Sequence, residues 1–294
     1  MHFRLNFKRY KWGGILRYRI SEYNEYCQFV NHMSQTLRSI DSVVEKSQPS
    51  LNGFCSPCKK IIRYQISDTS RFGSAVNLRE SISCECGMSQ RARLIFDTTL
   101  ANLVEGKSIA LFESSTPLSL KLSQHYSVSE SSFIDRNVSS GALCVLNEKE
   151  VIHQDMTKMS YVEESFDALI HNDILEHIPD YKKALRECYR VLRVNGLMFF
   201  TVPFFGLNKM NIIRAVFSKG EISHLLPKEM HGDPLNPDGI LTYYNFGFEL
   251  INDLKLIFEN VYVEINIDIL SGYTSNNHPD PFWNMPPIVI VAKK

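Results

Sequence analysis

The sequence predicts an α/β protein in which helices cover both faces of a largely parallel sheet, with a small Cys-rich module in front of it. Two observations lead to this class. From residue 94 onward, short apolar runs that end in polar residues alternate with helical patterns, as they do in strand–helix–strand units. Before that point, four cysteines fall in two close pairs. We therefore expect a helical extension over residues 1–50, a Cys-rich module over 51–93 and the main domain over 94–294.

The clearest alternation lies in the middle of the main domain. Residues 166–173 and 197–203 are apolar runs that end in polar or turn residues, which is typical of strands buried on both faces. Between them, residues 181–192 have a helical pattern, and the following Asn195-Gly196 is a helix stop signal. Short connections between such units predict parallel strands.

The extension contains one clear helical pattern. Apolar residues recur at intervals of three and four over residues 23–37, which predicts an amphipathic helix. The basic residues between positions 4 and 19 fit either a solvated face or contact with an anionic membrane surface.

Composition limits the classes of function. The 294 residues include 32 basic and 32 acidic side chains, so the formal net charge is +0. We do not expect general nucleic-acid binding, because it requires excess Lys and Arg to displace counterions from phosphates. No apolar stretch is long enough for a transmembrane helix, and the N-terminus lacks the apolar core of a secretory signal. We therefore expect a cytoplasmic protein without structural disulfides.

The four paired cysteines are candidates for a metal site. Cys55 and Cys58 form a C-x₂-C pair, and Cys84 and Cys86 follow as a tighter C-x-C pair. Each short turn brings two sulfurs toward one point, so these thiolates can enclose a tetrahedral, structural Zn²⁺ in a zinc-ribbon-like module. The alternative is four thiols without a metal.

The most specific segment of the chain runs from residue 153 to residue 203. It contains Asp155 after a short apolar run, then Phe166-Asp167, Leu175-Glu176-His177 and Arg190-Val191-Leu192 before the Asn-Gly turn. In this order and spacing, the motifs resemble the class I S-adenosylmethionine-dependent methyltransferases of the type 11-like group. The resemblance implies a Rossmann-like sheet and S-adenosylmethionine as cofactor. The Cys-rich front is similar to that of a bacterial subgroup of the family.

The resemblance also implies where the two ends of the cofactor bind. It places the adenine at Asp155 and Met156, which follow a strand-like run. It places the methionine part at Asn172 and Asp173, where the next strand ends. For Asp173, a helix N-cap is a second role that is compatible with the first.

The first family motif departs from the usual pattern. Glu113-Ser114-Ser115 stands where the family has an acid followed by glycines, which allow close approach of the backbone to the cofactor. We expect these three residues to hold the amino-acid part of the cofactor by hydrogen bonds. Ser132 and Phe133 are then expected near the ribose, with Glu130 or Asp135 as the acid there.

Residues 204–245 are expected to form a substrate-covering insert in the main domain. Within it, His231 and Asp233 are candidates to orient or deprotonate an acceptor hydroxyl, since a near-neutral imidazole suits a general base. The alternative is a loop fixed by Asp–Gly turn chemistry. His177 is a third catalytic candidate, and its alternative is a structural hydrogen bond.

Two further expectations concern the same insert. The segment that contains Arg214-Ala215 is predicted to be helical. Glu221, His224 and His231 are a possible second set of metal ligands.

These features favour an enzyme that transfers a methyl group from S-adenosylmethionine. The expected acceptor is an oxygen of a small molecule or a carbohydrate-linked substrate. Two alternatives stay open: a non-catalytic binding protein with the same fold, and a nucleic-acid methyltransferase guided by the Cys module. The sequence leaves the oligomeric state undecided.

Overall fold

The chain is described by a computed structural model. It covers residues 8–12, 15–146, 148–233 and 236–294, with side chains over 17–146, 148–232 and 238–294. The strands are Lys8–Trp12 (β1), Ile15–Ile20 (β2), Ser50–Cys55 (β3), Lys60–Ile66 (β4), Arg71–Phe72 (β5), Ala75–Val76 (β6), Ile82–Ser83 (β7), Ser108–Leu111 (β8), Ser127–Glu130 (β9), Leu143–Leu146 (β10), Lys149–Ile152 (β11), Phe166–Asn172 (β12), Leu192–Thr201 (β13), Ile212–Ile213 (β14), Ala215–Ser218 (β15), Glu221–His224 (β16), Met230–Asp233 (β17), Asn236–Leu241 (β18), Tyr244–Asn245 (β19), Asn260–Ile267 (β20) and Ile288–Lys293 (β21). The helices are Tyr23–Lys46 (α1), Leu78–Ser81 (α2), Gln90–Asn102 (α3), Pro117–Leu122 (α4), Tyr181–Val191 (α5) and Glu249–Lys255 (α6), with a 3-10 turn at Leu175–His177.

The main sheet has eight strands in the order β1-β2-β20-β21-β13-β12-β8-β9. The half from β13 to β9 is parallel, as the strand–helix alternation predicts. The half from β21 to β1 is antiparallel, so the sheet is mixed. The chain leaves β8 for β9 on one side and later enters β12 on the other side. The carboxyl end of β8 is therefore a switch point, where ligands bind in open α/β sheets.

Helices cover both faces of this sheet. Successive strand side chains point to opposite faces, so Leu169 of β12 packs on one side while Ala168 and Ile170 pack on the other. The Leu169 side also contains buried residues of α1, α5 and α6, and the opposite side contains those of α3 and α4. The α/β class with helices on both faces is confirmed.

The described residues before position 50 do not form a separate helical extension. The predicted amphipathic helix is present as α1, but β2 precedes it and pairs with β20 of the main sheet. Arg17 and Arg19 of β2 both bind the carboxylate of Glu264 on β20, at 2.9 and 3.0 Å. These two basic residues therefore neutralise a buried acid within the sheet and do not form a membrane-facing patch.

The Cys-rich module has its own three-stranded sheet, β3-β4-β7, and its own small core. Its expected end at residue 93 falls inside α3, which begins at Gln90 and continues to Asn102 beneath the main sheet. Ser89 caps this helix by accepting a hydrogen bond from the backbone N–H of Ala92. Module and main domain therefore share one continuous helix.

The insert consists of short hairpins. β15 pairs with β16 and β17 with β18, while β14 and β19 pair beside them. The helix expected around Arg214-Ala215 is wrong, because Ala215 begins β15. Lys219 and Gly220 join β15 to β16 with φ values of 52° and 85°, the left-handed pair that a tight hairpin turn requires.

Candidate functional site

Polar residues meet at the carboxyl ends of β8 and β12. Glu113 lies just beyond β8, and its Oε2 accepts a hydrogen bond from Nδ2 of Asn172 at 3.0 Å. Oε1 of Glu113 accepts from the hydroxyl of Thr116. Ser114 lies beside Ser132, with 3.1 Å between their hydroxyl oxygens. The structure thus brings four of the residues predicted for the cofactor to one end of the sheet.

The turn after β8 replaces the glycine loop of the first motif. Ser115 has φ 58°, a left-handed conformation that glycine adopts without strain. Its backbone N–H donates to Oε2 of Glu130 at 2.6 Å, and Glu130 is the last residue of β9. Of the two acids considered for the ribose, Glu130 is the one bonded to this turn.

Phe133 and Asp155 lie on adjacent segments just beyond the carboxyl ends of β9 and β11. Their segments are adjacent because Ser132 and His153 form a parallel bridge. The Phe133 ring is 42% exposed and contacts the His153 ring, with centroids 5.3 Å apart. Oδ1 of Asp155 accepts from the N–H and hydroxyl of Thr157 at 2.7 and 2.8 Å. Met156 is buried in the core, so only its backbone is placed to contact a ligand.

The Cys module closes one side of this cleft. A cavity of about 180 Å³ separates the module from the ends of β8 and β12. Its lining combines module residues with Glu113 and Asn172 and consists of Gly87, Met88, Ser89, Arg91, Ala92, Glu113, Thr116, Pro117, Leu118 and Asn172. The module therefore forms part of the candidate site, which the sequence did not indicate.

Asp173 links the module to the main domain. Its Oδ1 accepts from Nη2 of Arg79 at 2.8 Å and from the hydroxyl of Thr201 at 2.7 Å, and its Oδ2 binds Arg91. Burial alone would raise the pKa of Asp173, but the two guanidinium groups outweigh it and hold the pKa well below its usual value. The carboxylate is therefore ionised and already engaged, although the resemblance places it near the cofactor. The role of Arg79 and Arg91 could not be inferred from their sequence context.

Two of the three catalytic candidates meet where β17 of the insert lies against the 3-10 turn at Leu175–His177. The His177 and His231 rings lie edge to face, with centroids 5.1 Å apart. Glu176, which the sequence analysis quoted only as part of a motif, lies between them and is fully buried. Burial raises the pKa of Glu176 well above its usual value, and Asp173 raises it further. The side chain of Asp233, the third candidate, lies outside the described residues.

The second metal set suggested by the sequence does not assemble around His231. Glu221 and His224 occupy the exposed hairpin strand β16, whereas His231 lies on β17 and faces Glu176. Among the described residues, His231 groups with Glu176 and His177 and not with those two.

Comparison with known proteins agrees with this arrangement. Residues 125–200, which include β9 and β12, match the family model described as "Methyltransferase domain". A methyltransferase domain model thus matches about a quarter of the chain, from just before β9 to β13. It is 29% identical over 85 residues to the ubiquinone biosynthesis O-methyltransferase of Pseudomonas putida, covering 28% of this chain and 36% of that protein. The corresponding protein of Pseudomonas savastanoi is 29% identical over 83 residues, covering 28% and 34%. The chain thus matches about a third of the length of these curated relatives.

Solved structures with similar folds include two methyltransferases. One is the 1,6-didemethyltoxoflavin-N1-methyltransferase of Burkholderia thailandensis with S-adenosylhomocysteine bound, at TM-score 0.41 and 12% identity, covering 97% of both chains. The other is a SAM-dependent methyltransferase of Methanosarcina mazei at TM-score 0.38 and 16% identity, covering 66% of this chain and 95% of that one.

The paired cysteines in front of the main domain form one cluster. One sulfur from each of Cys55, Cys58, Cys84 and Cys86 lies within 4.8 Å of the others. The sulfurs of Cys58 and Cys84 are 3.6 Å apart, close to the roughly 3.8 Å expected for two thiolates on one tetrahedral Zn²⁺ with Zn–S bonds of about 2.3 Å. The four residues therefore fit the metal that the sequence spacing predicts.

Over the described part of the chain, no helix combines the length and the apolar character needed to cross a bilayer.

Proposed function

We propose that this protein transfers a methyl group from S-adenosylmethionine to an oxygen of a small-molecule acceptor. The observation that carries the proposal is the convergence of Glu113, Asn172 and Glu130 at the switch point of the sheet. Carboxylates and amides at this place suit the ammonium group and the hydroxyls of the cofactor.

Each group of residues has a proposed partner on the cofactor. Glu113 and Asn172 bind the amino-acid part, with Ser114 and Ser115 in the turn beside them. Glu130 accepts hydrogen bonds from the ribose hydroxyls, since it ends the strand next to β8. The remaining proposed cofactor residues lie along the same edge and are Ser132, Phe133, Asp155, Met156 and Asp173.

We propose that the acceptor molecule binds near His177 and His231. In the proposed reaction, the acceptor oxygen forms a bond to the methyl carbon while the carbon–sulfur bond breaks, and the sulfur leaves as a neutral thioether. The hydroxyl proton must leave the acceptor, and we propose that His231 or His177, whose rings lie edge to face, orients the hydroxyl or takes the proton. Asp233 lies on the same strand as His231 and is proposed to support this step. An oxygen acceptor agrees with the names of the curated Pseudomonas relatives.

Titration with S-adenosylmethionine by calorimetry tests the cofactor site. Replacing Glu113 with Gln removes a charge-assisted hydrogen bond, which is worth about 1.5–3 kcal/mol, so Kd should rise roughly tenfold to a hundredfold. Glu105→Gln is the matched control, because Glu105 is exposed and binds only His125 among the described partners. A chain that binds no cofactor, or a Glu113→Gln variant with unchanged Kd, would refute this site. Cofactor binding without conversion of S-adenosylmethionine to S-adenosylhomocysteine, in the presence of any small hydroxylated acceptor, would favour a non-catalytic binding protein.

We also propose that the Cys cluster holds a structural Zn²⁺. The ion would hold β3 and β4 to the segment after β7 and so fix the module against the cleft. Elemental analysis of the purified chain should show bound zinc that Cys58→Ser loses and that Cys144→Ser, outside the cluster, retains. Equal zinc content in the two variants would contradict the assignment.

A further inference from the structure

A second group of side chains that could ligate a metal ion lies where the insert contacts the 3-10 turn at Leu175–His177. One ligand atom from each of Glu176, His177 and His231 lies within 4.8 Å of the other two. Nε2 of His177 is 3.7 Å and Nδ1 of His231 is 3.9 Å from Oε1 of Glu176. These distances are too long for hydrogen bonds. They are close to the spacing of about 3.4 Å between two ligand atoms that each lie roughly 2.1 Å from one tetrahedral metal ion.

The outer nitrogen of each histidine is held by an acceptor. Nδ1 of His177 is 2.9 Å from the carbonyl oxygen of Leu241, so this nitrogen carries the proton and Nε2 presents its lone pair toward Glu176. Nε2 of His231 is 3.3 Å from a carboxylate oxygen of Glu229, which fixes the second ring in the same way. A hydrogen bond from the outer nitrogen to a carbonyl or carboxylate is the usual support of a metal-binding histidine.

The carboxylate at the centre lacks a partner of its own. Glu176 has no exposed surface, and neither of its carboxylate oxygens has a hydrogen-bond partner among the described residues. A buried carboxyl group without hydrogen bonds costs several kcal/mol, so a group that binds it is expected. Oε1 of Glu176 faces Nε2 of His177 and Nδ1 of His231. A carboxylate oxygen and two imidazole nitrogens grouped in this way attract a cation.

We propose that Glu176, His177 and His231 bind one divalent transition-metal ion, such as Zn²⁺, Co²⁺ or Fe²⁺. Two imidazoles and one carboxylate are a common ligand set for these ions. His231 is 31% exposed while the other two ligands are buried, so the ion is reached from the His231 side and keeps an open position for water or an acceptor oxygen. The ion site is separate from the Cys cluster, and ion binding does not require the proposed methyl transfer. A bound ion would occupy the inner nitrogens of both imidazoles, so the ion, and not a free imidazole, would then orient the acceptor oxygen.

Cobalt binding to the full-length chain tests the proposal. At a free Co²⁺ concentration near the wild-type Kd for the second ion, the wild type should hold more cobalt per chain than His231→Ala or Glu176→Gln. The spectrum of this additional ion should lack the thiolate-to-cobalt charge transfer that the Cys cluster would give. We expect each variant to bind the second ion at least tenfold more weakly, as even loss of a supporting residue typically costs tenfold to a hundredfold in affinity. His224→Ala is the matched control, because His224 is an exposed histidine of the same insert and should leave the second ion unchanged.

Two results would overturn the proposal. One is a wild-type chain that takes up no second ion at millimolar free Co²⁺. The other is a His231→Ala chain, folded by circular dichroism, that binds the second ion as tightly as the wild type. Because Glu176 is buried, His231→Ala decides the question if Glu176→Gln fails to fold. The separate S-adenosylmethionine titration decides the proposed function, so the two failures can be told apart.

Discussion

Replacing Asp173 with Asn should destabilise the protein by separating the Cys module from the main domain. The carboxylate is bound by two arginines of the module region, Arg79 and Arg91. Removing one member of a buried ion pair typically costs about 3–5 kcal/mol, because the remaining charges lose their partner. The side chains are 13% exposed for Asp173, 15% for Arg79 and 25% for Arg91, and Glu80 stays bound to both arginines. We therefore expect a smaller loss, about 2–3 kcal/mol of the free energy of unfolding.

Urea denaturation followed by circular dichroism measures this loss by linear extrapolation. Asp68→Asn is the matched control, because Asp68 is 66% exposed and pairs with Arg71 at the surface, where such pairs contribute at most about 1 kcal/mol. A double-mutant cycle with Arg79→Met should give a coupling energy of about 1–3 kcal/mol with Asp173→Asn. A loss below 1 kcal/mol for Asp173→Asn, or no coupling to Arg79, would refute the reasoning.

The same variant separates two roles for Asp173. If the carboxylate mainly holds the module, Asp173→Asn lowers stability in the absence of ligand. If it mainly binds cofactor, as the family resemblance implies, the variant raises Kd for S-adenosylmethionine while the stability of the free protein stays near that of the wild type.

Two other substitutions test the core and the backbone. His171 is buried with neither ring nitrogen bonded, and burial lowers its pKa to about 3, so the unfolded chain takes up a proton below pH 6.5 that the folded chain does not. The wild type therefore loses stability as pH falls from 6.5 toward 3, by about 1.36 kcal/mol per pH unit. The Leu side chain of His171→Leu does not titrate, so lowering the pH from 7.5 to 4.5 should raise the stability of this variant relative to the wild type by about 3 kcal/mol. A stability difference in urea denaturation that does not change with pH would contradict this. A Cβ on Gly53 would lie 2.2 Å from the carbonyl oxygen of Leu270, so Gly53→Ala should lower the free energy of unfolding by several kcal/mol. Gly232→Ala, where no atom lies within 4 Å of the added carbon, is the control, and equal unfolding midpoints for the two would show that the backbone yields without cost.

The parallel half of the fold could be predicted because its signals are local. The apolar run that becomes β12 and the pattern that becomes α5 each satisfy the spacing rules within one element. The pairing of β2 with β20 could not be predicted, since it joins residues more than two hundred positions apart and depends on Arg17 meeting Glu264. Basic residues near a terminus look the same in sequence whether they face water, lipid or a buried acid.

The candidate site shows the same division between local and distant signals. Asn172 ends β12 and Glu113 lies just beyond β8, and parallel strands bring their carboxyl ends together, so sequence position alone placed both in one cleft. Glu176 could be recognised in the sequence only as part of the Leu175-Glu176-His177 motif. His231, which lies near it, comes from a hairpin that no local sequence pattern predicted. The ligand set proposed here therefore required the structure.

Helix α3 joins the Cys module to the main sheet. α3 starts at the Cys module, where the Gln90 side chain donates to the carbonyl of Thr274 at 2.6 Å. It ends at Asn102, whose side-chain oxygen accepts from Arg19 of β2 at 2.6 Å. Arg93 of the same helix is fully buried and stacks over Tyr64 of the module, with 4.3 Å between its guanidinium carbon and the ring centre. A helix fixed at both ends transmits any displacement of the Cys cluster to Arg91 and the cavity wall beside Glu113. Because these contacts are buried and continuous, loss of the cluster should disturb the cofactor cleft as well as the module, although no cysteine touches the cleft.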